Sequence, residues 1–288
     1  MHREMVNSGN GYARPEQLSA LKTIWLRSFP TDTPEDVDAF FQSLFRPEDC
    51  LVHWENGQPV SMAFALPVVF HAADELYPVQ YIYAASTLPE WRGRGIFGEL
   101  LRFAFEQGAA QGMAASFLRP GEASLFGYYK RFGYRPFFSS EEIRLSRPVD
   151  RKLEENTLQV LAPEAYAAAR GRALAHIPFH VEWSVDQAAY AVRNAAAAGG
   201  CALAGPQSCA LCEPDGQVLR VRELICPPEE EAAYFHVFAS FACTEWEIRR
   251  PGKGEFYGMW KPLSSAGEML LDRAVQPYMG CLLYTSDA

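Results

Sequence analysis

PEWRGRGIFGELL, residues 89–101, sets two arginines and three glycines directly ahead of an apolar-striped segment. Phe97, Leu100, Leu101, Ala104 and Phe105 recur at three- and four-residue spacing, which predicts a helix that begins at Ile96 and ends near residues 108–112. The start of a helix exposes about four unpaired N–H groups and the positive end of its dipole, so it attracts anions, phosphates above all. Gly93, Gly95 and Gly98 let those N–H groups approach a ligand without a Cβ in the way, and Arg92 and Arg94 add charge-assisted donors. The run VQYIYAASTL, residues 79–88, reads as the strand that feeds this turn. Strand, glycine-rich turn and helix together make a pyrophosphate cradle. The stretch lacks the Lys-Ser/Thr of a P-loop and the spacing of a dinucleotide fingerprint. A basic surface turn ahead of an ordinary helix stays open as the alternative.

Working outward, PEQLSALKTIWLRSF and TPEDVDAFFQSLF predict two helices, the second with Thr33 as its N-cap and Pro34 in its first turn. CLVHW and VSMAFALPVVF flank Asn56-Gly57, the strongest short hairpin signal. After the cradle helix come a strand at AASFLRP, a short helix in EASLFGYYKRFGY stopped by Gly133, and a strand from YRPFF. This first unit closes near residue 148, and RKLEENT reads as a charged linker. The remainder repeats the coarse order: a helix-rich stretch over 163–198, strands near 200–204, 208–213 and 218–226, a helix in PPEEEAAYFHVFAS, and separate strands at TEWEIRR and FYGMW. The expected architecture is α+β with two tandem units, 1–148 and 149–280. Each unit is a mixed, mostly antiparallel sheet flanked by helices. The last eight residues, CLLYTSDA (281–288), read like the translation of a sequencing-library adapter and are set aside as a scar.

The chain has 288 residues, room for two domains of about 140. With 49% hydrophobic and 21% charged residues spread along its length, it is globular rather than disordered or collagen-like. A net charge of −9 argues against a nucleic-acid partner and favours steering of cationic substrates. There is no export signal and no apolar run of roughly 18 residues, so the expected location is the cytoplasm, away from the membrane. A homo-oligomer is compatible with this composition. Seven scattered cysteines fit reduced thiols, and Cys209-Ala-Leu-Cys212 has no second ligand pair at zinc spacing, so no metal is expected. The six histidines show neither metal nor triad spacing and read as structural.

LPEWRGRGI resembles the acetyl-CoA-binding motif of the GCN5-related N-acetyltransferases (GNAT), Q/R-x-x-G-x-G/A, with Arg92 and Gly95 in the first two fixed positions and Phe97 in the last, where that family prefers Gly or Ala. FGYYKRFGY resembles the family's later FYxKxGF motif and puts Tyr129 on its tyrosine. The second half is similar to the degenerate second unit of tandem proteins related to the mycobacterial enhanced intracellular survival protein. Where a second cradle would need arginine and glycine it has Pro227-Pro228-Glu229-Glu230-Glu231, which would repel a pyrophosphate. The resemblance implies a V-shaped gap between two parting parallel strands. Ala85, Ser86 and Thr87 would pair there with the pantetheine arm of acetyl-CoA, the cosubstrate. Arg92, Gly93, Arg94, Gly95, Ile96, Phe97 and Gly98 would receive the pyrophosphate, and Ser124 and Leu125 would line the cofactor. Tyr129 would protonate the departing thiolate, since a phenol of pKa about 10 can serve a thiol of about 8.5. No general base is assigned. Relatives use the terminal carboxylate, and Glu122 and Asp74 are candidates without support.

The implied function is transfer of acetyl to a primary amine of a small molecule or peptide, bound where the two units meet. Two rivals stay open: an acyl-CoA sensor without turnover, which Phe97 allows, and a tRNA-dependent aminoacyl transferase of similar fold, which the lysine-poor composition disfavours.

Overall fold

The computed structural model describes residues 8–147, 158–280 and 283. A short strand β1 (Gly9–Tyr12) precedes α1 (Leu18–Ser28) and α2 (Pro34–Ser43). Thr33 caps α2 in a capping box: its hydroxyl accepts from the Asp36 amide at 3.2 Å while the Asp36 carboxylate takes the Thr33 amide at 3.0 Å. Next come β2 (Cys50–Glu55) and β3 (Gln58–Ala72), turned by Asn56 and Gly57 at φ 51° and 77°, the left-handed pair that a two-residue hairpin needs. The first half continues through β4 (Glu75–Thr87), α3 (Ile96–Ala110), β5 (Ala115–Leu118), α4 (Leu125–Lys130) and β6 (Arg135–Ser146). The second half holds β7 (Gln159–Val160), α5 (Tyr166–Leu174), β8 (Phe179–Glu182), α6 (Val185–Ala197), β9 (Cys201–Ala204), β10 (Cys209–Asp215), β11 (Val218–Ile225), α7 (Glu231–Phe238), β12 (Glu245–Pro262) and α8 (Ser265–Arg273).

The fold is α+β. Instead of the two sheets expected, the strands form one mixed, mostly antiparallel sheet in the order β1-β2-β3-β4-β5-β12-β11-β10-β9-β7, with β6 paired to β12 and β8 to β3. The reason is β12. Residues 251–254, Pro-Gly-Lys-Gly, read as a turn between two strands, but they run as an irregularity inside one 18-residue strand, where the register against β6 shifts between Arg250 and Glu255. Gly254 permits this, because a Cβ there would lie 2.1 Å from the Ser140 carbonyl oxygen, too close for any other residue. The N-terminal part of β12 lies parallel to β11, and its C-terminal part pairs antiparallel with β5. A strand of the late sequence thus sits between β5 and β6 of the early sequence. Local pattern also missed β1, read as a polar lead, and β8, which interrupts the helix-rich stretch. The order β9-β10-β11-α7-β12 repeats β2-β3-β4-α3-β5, in each case three antiparallel strands, a crossover helix and a parallel strand. The expected unit boundary at 148/149 and the charged linker lie outside the described residues, as does 281–288 apart from Leu283.

Helices α1 and α2 cover β3 and β4 with an aromatic cluster in which Trp25 meets Phe40 at 4.9 Å and Tyr83 at 5.7 Å between ring centroids. Burying such rings contributes about 1.5–3 kcal/mol each. The cysteines behave as small core residues: Cys50, Cys209 and Cys212 are buried, and no group of three or more metal-ligating side chains is assembled among the described residues. No helix among them is long and apolar enough to cross a membrane.

A buried charged knot holds the segment at Tyr278 and Met279. Arg170 and Glu223, 2% and 0% exposed, pair at 2.9 Å. Tyr166 donates to the same carboxylate at 2.7 Å, and Arg170 donates to the carbonyls of Val181 and Met279. Trp183 donates to Met279 as well, and Tyr81 of β4 donates to the carbonyl of buried Leu283 at 3.1 Å. Removing one member leaves a buried charge without its counterion, so Glu223→Ala is expected to cost about 3–5 kcal/mol in urea unfolding. A loss below about 1 kcal/mol would show that the knot holds nothing.

His180 stacks on His71 at 4.4 Å, and its Nδ1–H donates to the Ile177 carbonyl at 2.6 Å. Burial pushes its imidazole from 6.5 down to about 4, with the Ile177 hydrogen bond and Glu182 opposing and His71 and Arg170 acting in the same direction. Between these values the unfolded chain takes up a proton that the folded chain refuses. This contribution to stability is therefore whole above pH about 6.5 and declines as pH falls toward about 4. Urea melts at about pH 7.5 and about pH 5 should show that decline, and His180→Phe should flatten it. An unchanged slope in the variant would assign the decline to other groups.

Candidate active site

The parallel ladder between β4 and β5 runs from Val79↔Ala115 to Ile82↔Leu118 and stops. β5 ends at Leu118, whereas β4 continues for five residues whose β5-facing edge pairs with no strand among the described residues. At the parting, Ala84 takes φ 47°, a left-handed value that costs a non-glycine residue about 1–2 kcal/mol, and the β3 register shifts between Met62 and Phe64 opposite it. This is a bulge in mid-sheet, placed where the strands separate. Sequence reading singled out Ala85, Ser86 and Thr87 but not Ala84; paired small residues inside a strand pattern were the available signal. On the β3 side the strand end is fixed, because Ser61 donates to the Ser86 carbonyl and bonds the Thr87 hydroxyl, both at 2.8 Å.

From Thr87 the chain passes through a 3₁₀ turn, Pro89–Trp91, into the expected cradle. Arg92 Nε donates to the Thr87 carbonyl at 3.0 Å, and Arg94 donates to the Glu90 carbonyl while lying 4.6 Å over the Trp91 ring. Glu90 is itself held by both guanidinium nitrogens of Arg27 on α1. Each arginine keeps further N–H donors for a ligand. Gly93 and Gly95 have φ 75° and 80°, and a Cβ on either would meet nothing within 4 Å, so both face open space. Gly95 is the N-cap of α3, and no side chain caps it, which leaves the first amides of a 15-residue helix available. Ile96 is buried beneath this turn. Gly98 serves packing: a Cβ there would press on Phe132 at 3.0 Å. The Phe97 ring turns back onto α4, stacked on Tyr128 at 6.3 Å and edge-on to Tyr129 at 6.5 Å.

Tyr129 is buried in the cluster that contains Ile82 and Leu118, the last paired residues of the parting strands, with Ala85, Phe97 and Leu125 packed against it. Its hydroxyl makes no hydrogen bond among the described residues, and burial raises its pKa well above the phenol range. The structure thus brings Tyr129, Leu125, Ala85 and the start of α3 to one place. Ser124 is turned instead toward the Glu122 carboxylate. Asp74 is removed from the site: it lies in the β3–β4 turn beside His71, nine residues from Tyr83, about 30 Å along an extended strand.

A crossover helix whose bare N-terminus faces a pair of parting parallel strands is the arrangement that the comparisons then address. Residues 12–137 match the model of an acetyltransferase (GNAT) domain. The fold is that of the GNAT superfamily. Among solved structures, a GCN5-related N-acetyltransferase from Anabaena variabilis aligns with a TM-score of 0.74 at 13% identity, covering 92% of this chain and 75% of that one. One from Kribbella flavida gives 0.71 at 16% identity, covering 93% and 75%. Eis1 from Mycobacterium abscessus gives 0.68 at 16%, covering 89% and 74%. These alignments span both halves of the chain, whereas the family model covers the first. No curated protein matches the sequence.

Because open space surrounds Gly95, substitution there tests conformation alone. Gly95→Ala should lower stability by about 1–2 kcal/mol in urea unfolding. An unchanged midpoint would mean that the turn re-forms without a left-handed residue and that its shape is not imposed by the backbone.

Proposed function

We propose that this chain is an acetyl-CoA-dependent N-acyltransferase whose catalytic unit is residues 1–148, with 149–280 as a second GNAT-like unit that binds no CoA. The observation that carries the reading is the separation of β4 from β5 beyond Ile82 and Leu118, with the Ala84 bulge at the split and the uncapped end of α3 beside it. Unpaired strand edge in mid-sheet is costly unless a ligand's amides complete it. The pantetheine arm of CoA is of that kind, and the amides of residues 95–98 with Arg92 and Arg94 suit its pyrophosphate.

In this reading Ala85, Ser86 and Thr87 hold the thioester arm in register, so that the attacking amine meets it in a fixed orientation. Tyr129 is the proton donor to the departing sulfur. Its apolar surroundings keep the phenol protonated at neutral pH, the state a donor requires. Phe97 packs on α4, and this takes its bulk away from the helix mouth. At the corresponding place in the second unit, Glu230 is bonded to Ser208 and Glu231 to Arg250 at 2.9 Å, which supports a site closed to phosphate.

Tyr129→Phe should lower kcat at least about 100-fold while leaving CoA affinity unchanged, and Arg92→Glu should weaken the CoA-induced thermal shift without altering the unliganded melting point. Steady-state kinetics with thiol release and thermal-shift titrations check both. Full turnover in Tyr129→Phe would remove the tyrosine from the mechanism, and an unchanged shift in Arg92→Glu would displace the cradle.

A further inference from the structure

Cys209 and Cys212, the compact pair of the sequence, part in the fold, because strand residues three apart lie on opposite faces. Cys209 joins the large core with Tyr166, and Cys212 the smaller one with Leu219, Tyr234 and Trp246. The neighbour of Cys212 is Cys201, directly opposite it on the β9–β10 ladder, and the two sulfurs are 3.9 Å apart. Opposite residues of an antiparallel pair have Cα atoms about 4.5 or 5.5 Å apart, both within the roughly 4.4–6.8 Å that a disulfide spans. Gly200 lets the chain enter β9 this closely, since a Cβ there would lie 2.0 Å from the Cys212 carbonyl oxygen. The Cys212 thiol also donates to the Cys201 carbonyl at 3.6 Å. Both side chains are thus held on one face of the sheet, in register and in contact.

The two thiols differ in access. Cys212 is buried and Cys201 is half-buried. On the outer edge of β9, β7 pairs with Leu203 and Ala204, and the Leu161 amide bonds the Ala202 carbonyl. Among the described residues no strand pairs with Cys201 on that side. The hydrogen bond from Cys212 favours the Cys201 thiolate, against the opposing effect of burial. We propose that Cys201 and Cys212 are a redox-active dithiol that a hydroperoxide closes into a disulfide, with Cys201 attacking and Cys212 resolving. In the first step the Cys201 thiolate attacks a peroxide oxygen: an S–O bond forms, the O–O bond breaks, and the departing oxygen leaves as hydroxide or alkoxide and takes a proton. Cys201 is then a sulfenic acid. In the second step the Cys212 sulfur attacks the Cys201 sulfur: the S–S bond forms, the S–O bond breaks, and the Cys212 proton leaves with the hydroxyl as water. Two thiols are oxidised and one peroxide is reduced. The bond would staple β9 to β10 in the cross-strand row Cys201, Cys212, Val221, Ile248, which ends where β11 and β12 cease to pair. This inference is independent of the acyltransferase reading.

The other described cysteines provide the comparison. Cys50, Cys209 and Cys243 are 0%, 0% and 2% exposed, whereas Cys226 is half-buried and open to the same reagent. The fully reduced chain is treated with hydrogen peroxide, quenched with N-ethylmaleimide at intervals and mapped by peptide mass spectrometry. The peptides of Cys201 and Cys212 should become linked at least about tenfold faster than Cys226 loses its thiol, and dithiothreitol should restore both thiols. In urea, where the ladder is lost, that preference should vanish. Cys226→Ser should leave the link unchanged, and Cys201→Ser should abolish it. In a Cys212→Ala chain that still melts cooperatively, the reaction should stop at the Cys201 sulfenic acid, which dimedone captures. The deciding measurement is on the unmodified chain and so does not depend on how the variants fold. No link after peroxide, a link from either cysteine to a third formed as fast, or an equal preference in the unfolded chain would overturn the proposal.

Discussion

Backbone pairing along β12 is the constraint on which the remainder depends. Its eighteen residues bond to β11 at one end, to β5 at the other and to β6 along most of their length. An interior strand must have both edges occupied, since each buried N–H or C=O without a partner costs free energy comparable to a lost hydrogen bond. β5 can therefore stop short at Leu118 and leave one edge of β4 open beyond Ile82, because the other edge of β5 is already secured by Met259, Trp260 and Lys261. The opening in the sheet and the long strand that stabilises its far wall are parts of one arrangement.

The buried knot around Arg170 and Glu223 acts on the same wall from the other side. It draws Tyr166, Tyr278 and the Met279 carbonyl together, and Tyr81, two residues from the parting of β4 and β5, bonds the Leu283 carbonyl. Buried ion pairs of this sort add less to stability than their distances suggest, since both charges have left water. What this pair fixes is position: the Met279 carbonyl and the Tyr278 hydroxyl of the C-terminal segment are both bonded to it.

The features legible in the sequence were those written in neighbouring residues. The glycine-rich turn ahead of α3, the Asn56-Gly57 hairpin, the Thr33 cap and the period of α3 each depend on contacts within a few positions, and the helix of Tyr129 could be anticipated because it carries a short motif. The single sheet was not legible, because its decisive pairings join residues more than a hundred positions apart, such as Phe138 with Gly258. Residues 251–254 look like a turn by every local rule, and only the approach of Ser140 explains why two glycines and a proline continue a strand there.

The insertion of β12 between β5 and β6 also bears on how the molecule is made. When residues up to 146 have left the ribosome, the strands that flank the future site still lack their shared neighbour, which lies about a hundred residues downstream. Until Glu245–Pro262 emerges, two apolar strand edges stay open to whatever extended chain is nearby. A topology so dominated by distant pairings folds slowly, and nascent chains of this protein would be natural clients for chaperones that shield strand edges.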